Sequence, residues 1–254
     1  QIDIDPRADG RTYSNELFVE GDAGATLAAL ADALEAEGWT PDPAFGSEFE
    51  TLKTRARRAF AASLGPYGGF AEQLRAAMPA DAIFARDVTI NHSTWGNRLM
   101  PVADPTTSIY PVGAGIGQGF SLAVGAALAD GRKTVCMTGD GGFFLNLGEL
   151  WTAVQERADM VILVMNDAGY GVIRHIQDAT GAGRRYESFT APPLEGIAAL
   201  AGIPYRRVSD PARFGATVAE ALAHEGPSLV EVDMTVIGEH PPYFPYGPAV
   251  EAVD

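Results

Sequence analysis

Thr138-Gly139-Asp140-Gly141-Gly142, together with a second stretch, Asn166-Asp167-Ala168-Gly169-Tyr170-Gly171, decides the fold of this chain. Each stretch follows an apolar run with the length of a buried strand, 134–137 in the first case and 160–165 in the second. One amphipathic helical pattern separates the two runs, so the sequence predicts a strand–helix–strand unit with a carboxylate at the end of each strand. Open α/β sheets bind their ligands at the carboxyl ends of the strands. We therefore expect a ligand site where the two stretches meet.

The residue types in these stretches suit a divalent cation and a phosphate group. Asp140 and Asp167 are candidate metal ligands, with the backbone carbonyl of Gly169 as a third, because Mg²⁺ and Ca²⁺ favour oxygen ligands. Gly141 and Gly142 allow the backbone to approach a phosphate closely and offer it their N–H groups. The alternative is that both aspartates are ordinary loop carboxylates that cap turns, but the strand context of the pair favours the metal site.

The helix between the two strands carries its own start signal. Asn146 is followed three residues later by Glu149, a pattern typical of a capping box. We therefore expect this helix to begin near residue 146, with Gly141 and Gly142 in the loop before it.

A glycine-rich run at 113–119 leads into a stretch of small residues at 123–127. The glycines alternate and lack the spacing of a dinucleotide-binding fingerprint, so that function is not favoured. The small residues predict a helix that packs closely against its neighbours. Ile116 stands out as a large aliphatic side chain among the glycines.

After the first quarter of the chain, helix and strand patterns alternate, which predicts an α/β fold with an open, mostly parallel sheet and helices on both faces. Residues 1–38 indicate strand, turn, strand and helix, with Asp22 as the helix N-cap and Gly38 as its stop. This segment is too small to be an α/β domain on its own. The predicted organisation continues with a linker at 39–65 and the main domain at 66–254.

The composition argues against nucleic-acid and membrane partners. The net charge is −15, so the phosphates of nucleic acids and anionic membranes would be repelled. No apolar run approaches the roughly 20 residues that span a bilayer, and no basic-then-apolar leader opens the chain. The single cysteine, Cys136, excludes a disulfide framework and fits a cytoplasmic location. Because the chain starts without methionine inside an apparent strand, we expect it to be a processed piece or part of a longer protein.

The two stretches resemble a known signature. Gly139-Asp140-Gly141 followed by Asn166-Asp167 is similar to the GDG…NN motif of thiamine diphosphate enzymes. The similarity extends from about Asp87 to Asp233 and resembles the pyrophosphate-binding domain of the acetolactate synthase and benzoylformate decarboxylase group. Residues 1–38 resemble the end of that group's middle domain, which implies that they are the C-terminal remnant of a second α/β domain.

The resemblance implies thiamine diphosphate and Mg²⁺ as cofactors, with Asp140, Asp167 and the carbonyl of Gly169 as metal ligands. Asp167 stands where the family has its second Asn, and as a hard oxygen ligand it keeps the ability to bind the metal. Ile116 corresponds to the aliphatic residue that holds the cofactor bent for catalysis. His92 follows a strand and is a second candidate catalytic residue, with a surface or supporting role equally open.

The expected site residues form two sets. The cofactor-binding set comprises Gly115, Ile116, Gly139, Asp140, Gly141, Gly142, Asp167, Gly169, Tyr170 and Gly171. The substrate-pocket set is aliphatic and comprises Val172, Ile173 and Ile176. The proline-rich tail, with Tyr243, Phe244 and Tyr246, is interpreted as a lid or a packing arm.

The implied function is decarboxylation or carboligation of a 2-oxo acid. In the family, a glutamate on a separate N-terminal pyrimidine-binding domain activates the cofactor. We expect that domain to come from the same precursor or from another subunit, in a homodimeric or tetrameric assembly. Alternatives are a family member that acts on oxalyl-CoA or glyoxylate, and a non-catalytic cofactor-binding or regulatory module. Binding of FAD stays undetermined.

Overall fold

The chain forms two compact units, Gln1–Thr54 and Arg55–Asp254, and the boundary between them falls inside a helix, α2 (Phe45–Ser63). The computed structural model describes residues 1–185 and 188–242. The tail residues Tyr243, Phe244 and Tyr246 therefore lie outside the described residues. The predicted division into remnant, linker and main domain stays a prediction.

The first unit begins with a short parallel strand pair and a helix. Its elements are β1 (Ile2–Asp3), β2 (Val19–Glu20) and α1 (Ala23–Ala36). The predicted N-cap is confirmed, because an Asp22 side-chain oxygen accepts a hydrogen bond from the Ala25 N–H at 2.8 Å. Gly38, just beyond the helix, has φ +70°, a conformation that favours glycine.

The second unit is built on a six-stranded parallel sheet. Its strands are β3 (Ile83–Arg86), β4 (Ser108–Ile109), β5 (Thr134–Gly139), β6 (Met160–Asn166), β7 (Tyr205–Val208) and β8 (Ser228–Asp233). They lie in the order β4-β3-β5-β6-β8-β7, and every neighbouring pair is parallel.

Eight α-helices and one short π-helical segment accompany the sheet in the described part of this unit, after the end of α2. They are α3 (Phe70–Ala77), the π-helical segment His92–Gly96, α4 (Gln118–Asp130), α5 (Asp140–Leu145), α6 (Glu149–Gln155), α7 (Gly171–Thr180), α8 (Leu194–Ala201), α9 (Phe214–Leu222) and α10 (Met234–Ile237). Within the described residues, none of the helices is long and apolar enough to cross a membrane.

Both faces of the sheet are covered, as the near-continuous apolar strands require. Along β5, Val135 belongs to one hydrophobic core and Cys136 to the other, because successive side chains point to opposite faces. The first core includes Phe70 of α3 stacked on Phe214 of α9, with ring centroids 4.1 Å apart. The second includes Phe120 of α4. The predicted α/β fold is confirmed.

The start of the helix between β5 and β6 differs from the prediction. Helix α5 begins at Asp140, so Gly141 and Gly142 lie in its first turn rather than in a preceding loop. A second helix, α6, follows with Gly148 as its N-cap, and the predicted capping box is wrong. The Asn146 side chain makes a longer-range contact instead, donating from Nδ2 to the carbonyl of Gly117 at 2.9 Å.

The sheet order fixes where a ligand can bind. Strand β4 lies on one side of β3, and β5 lies on the other. The chain therefore reverses its direction of winding at β3, which opens a crevice beyond the carboxyl ends of β3 and β5. Asp140 directly follows β5, at the rim of this crevice.

Candidate functional site

A cleft at the carboxyl ends of the central strands brings most of the predicted residues together. Those that line it are Ile116, Gly139, Asp140, Gly141, Gly142, Asp167, Gly169, Tyr170, Gly171, Val172 and Ile173. Gly115, His92 and Ile176 are not among the lining residues. The two motif stretches therefore share one cavity, as their positions after neighbouring parallel strands predict.

Asp140 and Asp167 are two largely buried carboxylates that line the cleft. Asp140 is 3% exposed, and its Oδ2 accepts a hydrogen bond from the Gly169 N–H at 2.9 Å. Burial, with the nearby charge of Asp167 as a second cause, raises the pKa of Asp140 to about 7. Burial likewise raises the pKa of Asp167, to about 6, although the positive charge of Arg174 opposes the shift. The protein thus holds two carboxylates where neither ionises easily without a further positive charge.

This donor set suits a divalent cation. A dication near both carboxylates would stabilise their ionised forms and reverse the raised pKa values. Oxygen donors from two aspartates are the ligands that Mg²⁺ prefers, and Mg²⁺ completes its shell with water and ligand phosphates. The residues present therefore fit a magnesium–diphosphate group.

Glycines shape the cleft because side chains would not fit. A Cβ on Gly141 would lie 2.6 Å from Cε1 of Tyr170, and one on Gly142 would lie 2.1 Å from Oδ2 of Asp87. Both distances are far below van der Waals contact. Gly141 and Gly142 lie in the first turn of α5, where backbone N–H groups have no intrahelical partner and can bind an anion.

Asp87, which directly follows β3, joins three elements of the cleft. Its carboxylate is fully buried and accepts hydrogen bonds from the N–H groups of Gly117, at 2.8 Å and 3.0 Å, and of Gly119, at 3.3 Å. It also accepts from Oγ1 of Thr138 on β5 at 3.2 Å. The glycine-rich run is therefore fixed to β3 and β5 by one side chain. Gly117 has φ +92°, which this turn needs and larger residues rarely adopt.

The fixed run presents Ile116 to the cleft. Its side chain is 41% exposed and lines the cavity, and Asn146 supports the neighbouring Gly117 through the carbonyl contact described above. Val172 and Ile173, on the first turn of α7, form an aliphatic part of the wall. Ile176 lies farther along α7 and does not line the cleft.

His92 lies in the π-helical segment and is buried, 8% exposed. Its ring stacks on Tyr110 with centroids 5.2 Å apart. Burial, reinforced by the charge of Arg86, lowers the pKa of His92 to about 4, so the ring is neutral at pH 7. The structure does not bring His92 to the cleft, and its catalytic role stays a prediction.

Sequence reasoning missed several residues of the site. The loop after β3 contributes Val88, Thr89, Ile90 and Asn91 to the cleft wall, and α10 contributes Met234. Asp87 and Arg174 were missed as well. Asp87 carried one usable signal, since a carboxylate directly after a buried strand lies at the ligand-binding edge of a parallel sheet.

Comparison with known proteins identifies the family. A model described as thiamine pyrophosphate enzyme, C-terminal TPP binding domain, matches residues 89–232, more than half of the chain. This chain belongs to the thiamine pyrophosphate enzyme family. The matched domain is the one that binds thiamine diphosphate, and it contains both motif stretches. The resemblance inferred from the sequence is confirmed.

Individual relatives agree with the family assignment. A probable 2-ketoarginine decarboxylase of Pseudomonas aeruginosa is 33% identical over 177 residues, covering 68% of this chain and 31% of that protein. The large subunit of Escherichia coli acetolactate synthase isozyme 1 is 26% identical, covering 98% of this chain and 44% of that protein. The solved thiamine diphosphate-dependent 4-hydroxybenzoylformate decarboxylase of Rhodococcus jostii has a TM-score of 0.60 and 28% identity, covering 66% of this chain and 32% of that one. The chain thus spans less than half the length of these relatives.

Proposed function

We propose that this chain supplies the metal- and diphosphate-binding half of the active site of a thiamine diphosphate-dependent 2-oxo acid decarboxylase or carboligase. The observation that carries the proposal is the buried pair Asp140 and Asp167 beside the glycine-lined start of α5. Asp140, Asp167 and the carbonyl of Gly169 would hold Mg²⁺, and the N–H groups of the α5 first turn would bind the diphosphate. Bound thiamine diphosphate supplies the carbanion-stabilising chemistry that 2-oxo acid decarboxylation requires.

The chain's other contribution is orientation. Ile116 stands in the cleft on a glycine turn that Asp87 fixes, so it can support the bent cofactor with little conformational freedom. Val172 and Ile173 make the nearby wall apolar and offer no charge to a substrate side chain. A buried carboxylate without a partner is costly, so a 2-oxo acid with an uncharged side chain should be preferred over a dicarboxylic one.

The activating glutamate is proposed to come from a pyrimidine-binding domain on the same precursor or on a second polypeptide, within a cytoplasmic homodimer or tetramer. General acid–base activation by a positioned carboxylate contributes roughly 10²–10⁴ in rate. We therefore expect residues 1–254 alone to release no measurable CO₂ from a 2-oxo acid, whereas the full assembly does. Turnover by the rigorously purified chain would contradict this division of the site.

Binding and turnover together test the proposal. Calorimetry on the assembled protein should detect thiamine diphosphate binding that requires Mg²⁺, and Asp140→Ala and Asp167→Ala should each weaken it strongly. Asp178→Asn is the matched control, because Asp178 is a half-exposed carboxylate of α7 that pairs with Arg184 outside the cleft. Equal affinity in wild type and both alanine variants would refute the metal-ligand assignment.

A substrate panel then separates catalyst from binding module. CO₂ release is measured with pyruvate, benzoylformate, 2-ketoarginine and 2-oxoglutarate. Turnover of the uncharged members supports the proposed enzyme, and preference for 2-oxoglutarate contradicts the apolar wall. Tight cofactor binding without any turnover in the full assembly would indicate a non-catalytic module.

A further inference from the structure

Arg174 contacts the second carboxylate of the cleft from outside the cavity. It lies one turn into α7, and its Nη2 donates to Oδ2 of Asp167 at 2.5 Å and to the Asp167 carbonyl oxygen at 3.2 Å. The two side chains are 12% and 16% exposed, so the pair is largely removed from water. A pair at this depth is screened far less than a surface salt bridge.

The backbone makes room for this pair. A Cβ on Gly171, the first residue of α7, would lie 2.0 Å from Oδ2 of Asp167 and 3.6 Å from Nη2 of Arg174. Any side chain at position 171 would therefore displace the carboxylate from the guanidinium. Because position 171 has no side chain, Arg174 can extend back over one helical turn and bond to Asp167.

The two carboxylates of the cleft differ in their partners. Asp140 accepts from a neutral backbone N–H, that of Gly169, at 2.9 Å. Asp167 shares its charge with Arg174 through a charge-assisted hydrogen bond. The Asp167 side chain therefore bonds to the guanidinium through Oδ2 while the residue also lines the cleft.

We propose that Arg174 is a positioning residue that offsets the charge of Asp167, so that the Asp167–Arg174 pair acts in the metal site as a single neutral oxygen ligand. This inference rests on the function proposed above. Its physical reason is the charge of the ligand to be bound. A diphosphate is strongly anionic, and a second uncompensated carboxylate next to it would oppose binding by Coulomb repulsion.

The inference predicts a specific rescue. Arg174→Gln leaves Asp167 as a full negative charge beside the diphosphate and frees it to rotate, so cofactor affinity should fall. Adding Asp167→Asn to that variant removes the excess charge and keeps an oxygen ligand, so affinity should return. If Arg174 instead acted only by holding the loop through its hydrogen bond to the Asp167 carbonyl, adding Asp167→Asn would not restore the cofactor affinity that Arg174→Gln loses.

The experiment is calorimetric titration of thiamine diphosphate in saturating Mg²⁺, on the full assembled protein. Four variants are compared with wild type: Arg174→Gln, Asp167→Asn, the double variant, and Arg184→Gln as control. Arg184 is a matched arginine: in the part of the chain that the structure describes, it pairs with Asp178 and Glu239 and makes no hydrogen bond to Asp167. We expect Arg174→Gln to weaken binding about 10–100-fold, the range for residues that support metal ligands. The double variant should lie within about threefold of wild type.

The outcomes separate this inference from the proposed function. If the double variant binds the cofactor as weakly as Arg174→Gln does, the charge-offset role is overturned and the proposed function still stands. The same conclusion follows if Arg184→Gln loses as much cofactor affinity as Arg174→Gln. Failure of the wild type to bind the cofactor overturns the function itself. Thermal unfolding of each variant reports its folding. If Arg174→Gln does not fold, Arg174→Lys replaces it, because lysine keeps the positive charge and should keep most of the cofactor affinity. A loss of affinity in Arg174→Lys as large as that in Asp140→Ala would then overturn the proposal.

Discussion

Asp140→Asn should make the metal-free protein more stable at pH 8 and somewhat less stable at pH 4.5, where the wild-type carboxyl is still largely protonated in the folded state. The reason is the burial of Asp140, which raises its pKa from an ordinary value of 3.8 to about 7. In the unfolded chain this carboxyl loses its proton near pH 4, whereas the folded protein retains the proton up to about pH 7. The destabilisation from Asp140 is therefore absent below pH 4, grows as the pH rises, and is complete above pH 7.

The size of the effect follows from the same shift. A rise from 3.8 to about 7 corresponds to about 4 kcal/mol of lost stability at pH 8. We expect Asp140→Asn to recover about half of this, roughly 2 kcal/mol, because a neutral amide accepts the Gly169 hydrogen bond more weakly than a carboxylate does. For a unit of this size, that gain raises Tm by about 4–8 °C.

Urea unfolding with a metal chelator, at pH 4.5 and pH 8, measures the difference. Asp178→Asn is the control: the Arg184 side chain lowers the pKa of this exposed carboxyl, so its removal should give no gain at pH 8. With Mg²⁺ and thiamine diphosphate added, the order of wild type and Asp140→Asn should reverse, because a ligand at 100 times its Kd stabilises wild type by about 2.7 kcal/mol. A stability change for Asp140→Asn that is the same at both pH values would refute the buried-charge argument.

Three further substitutions test the remaining parts of the cleft. Ile173→Phe should lower kcat/KM for benzoylformate while sparing pyruvate, because Ile173 lines the cavity; equal losses with both would show that this residue does not set substrate size. Asp87→Asn should destabilise the protein by about 3 kcal/mol in chemical unfolding, because the amide cannot accept all the hydrogen bonds that the carboxylate accepts; a change below about 0.5 kcal/mol would contradict its central position. Gly142→Ala should cost about 1–3 kcal/mol by crowding Asp87, whereas Gly148→Ala, with open space around its Cβ position, should stay within about 0.5 kcal/mol of wild type. If the two alanine variants had similar effects on stability and cofactor affinity, the close packing of Gly142 against Asp87 would not be important for the site.

The sequence by itself determined the features that depend on local chemistry. The apolar runs and their spacing predicted β5 and β6, which the structure extends only to Gly139 and Asn166. Asp22 was identified as a cap because the Asp side chain and the N–H three residues on are neighbours along the chain. The location of Asp140 and Asp167 in one cleft also followed from the sequence, since neighbouring parallel strands end at the same edge of a sheet.

Only the tertiary structure decided which side chains support that cleft. Asp87 bonds to Gly117 from 30 positions away, and Asn146 bonds to Gly117 from 29 positions away. Such contacts leave no periodic or capping pattern in the sequence, because they depend on how separate elements approach one another. For the same reason the local pattern at Asn146 wrongly predicted a capping box, and the position of His92 after a strand did not reveal that its ring stacks on Tyr110 away from the cleft. Burial also sets the raised pKa values of the two aspartates, and burial is a property of the folded chain.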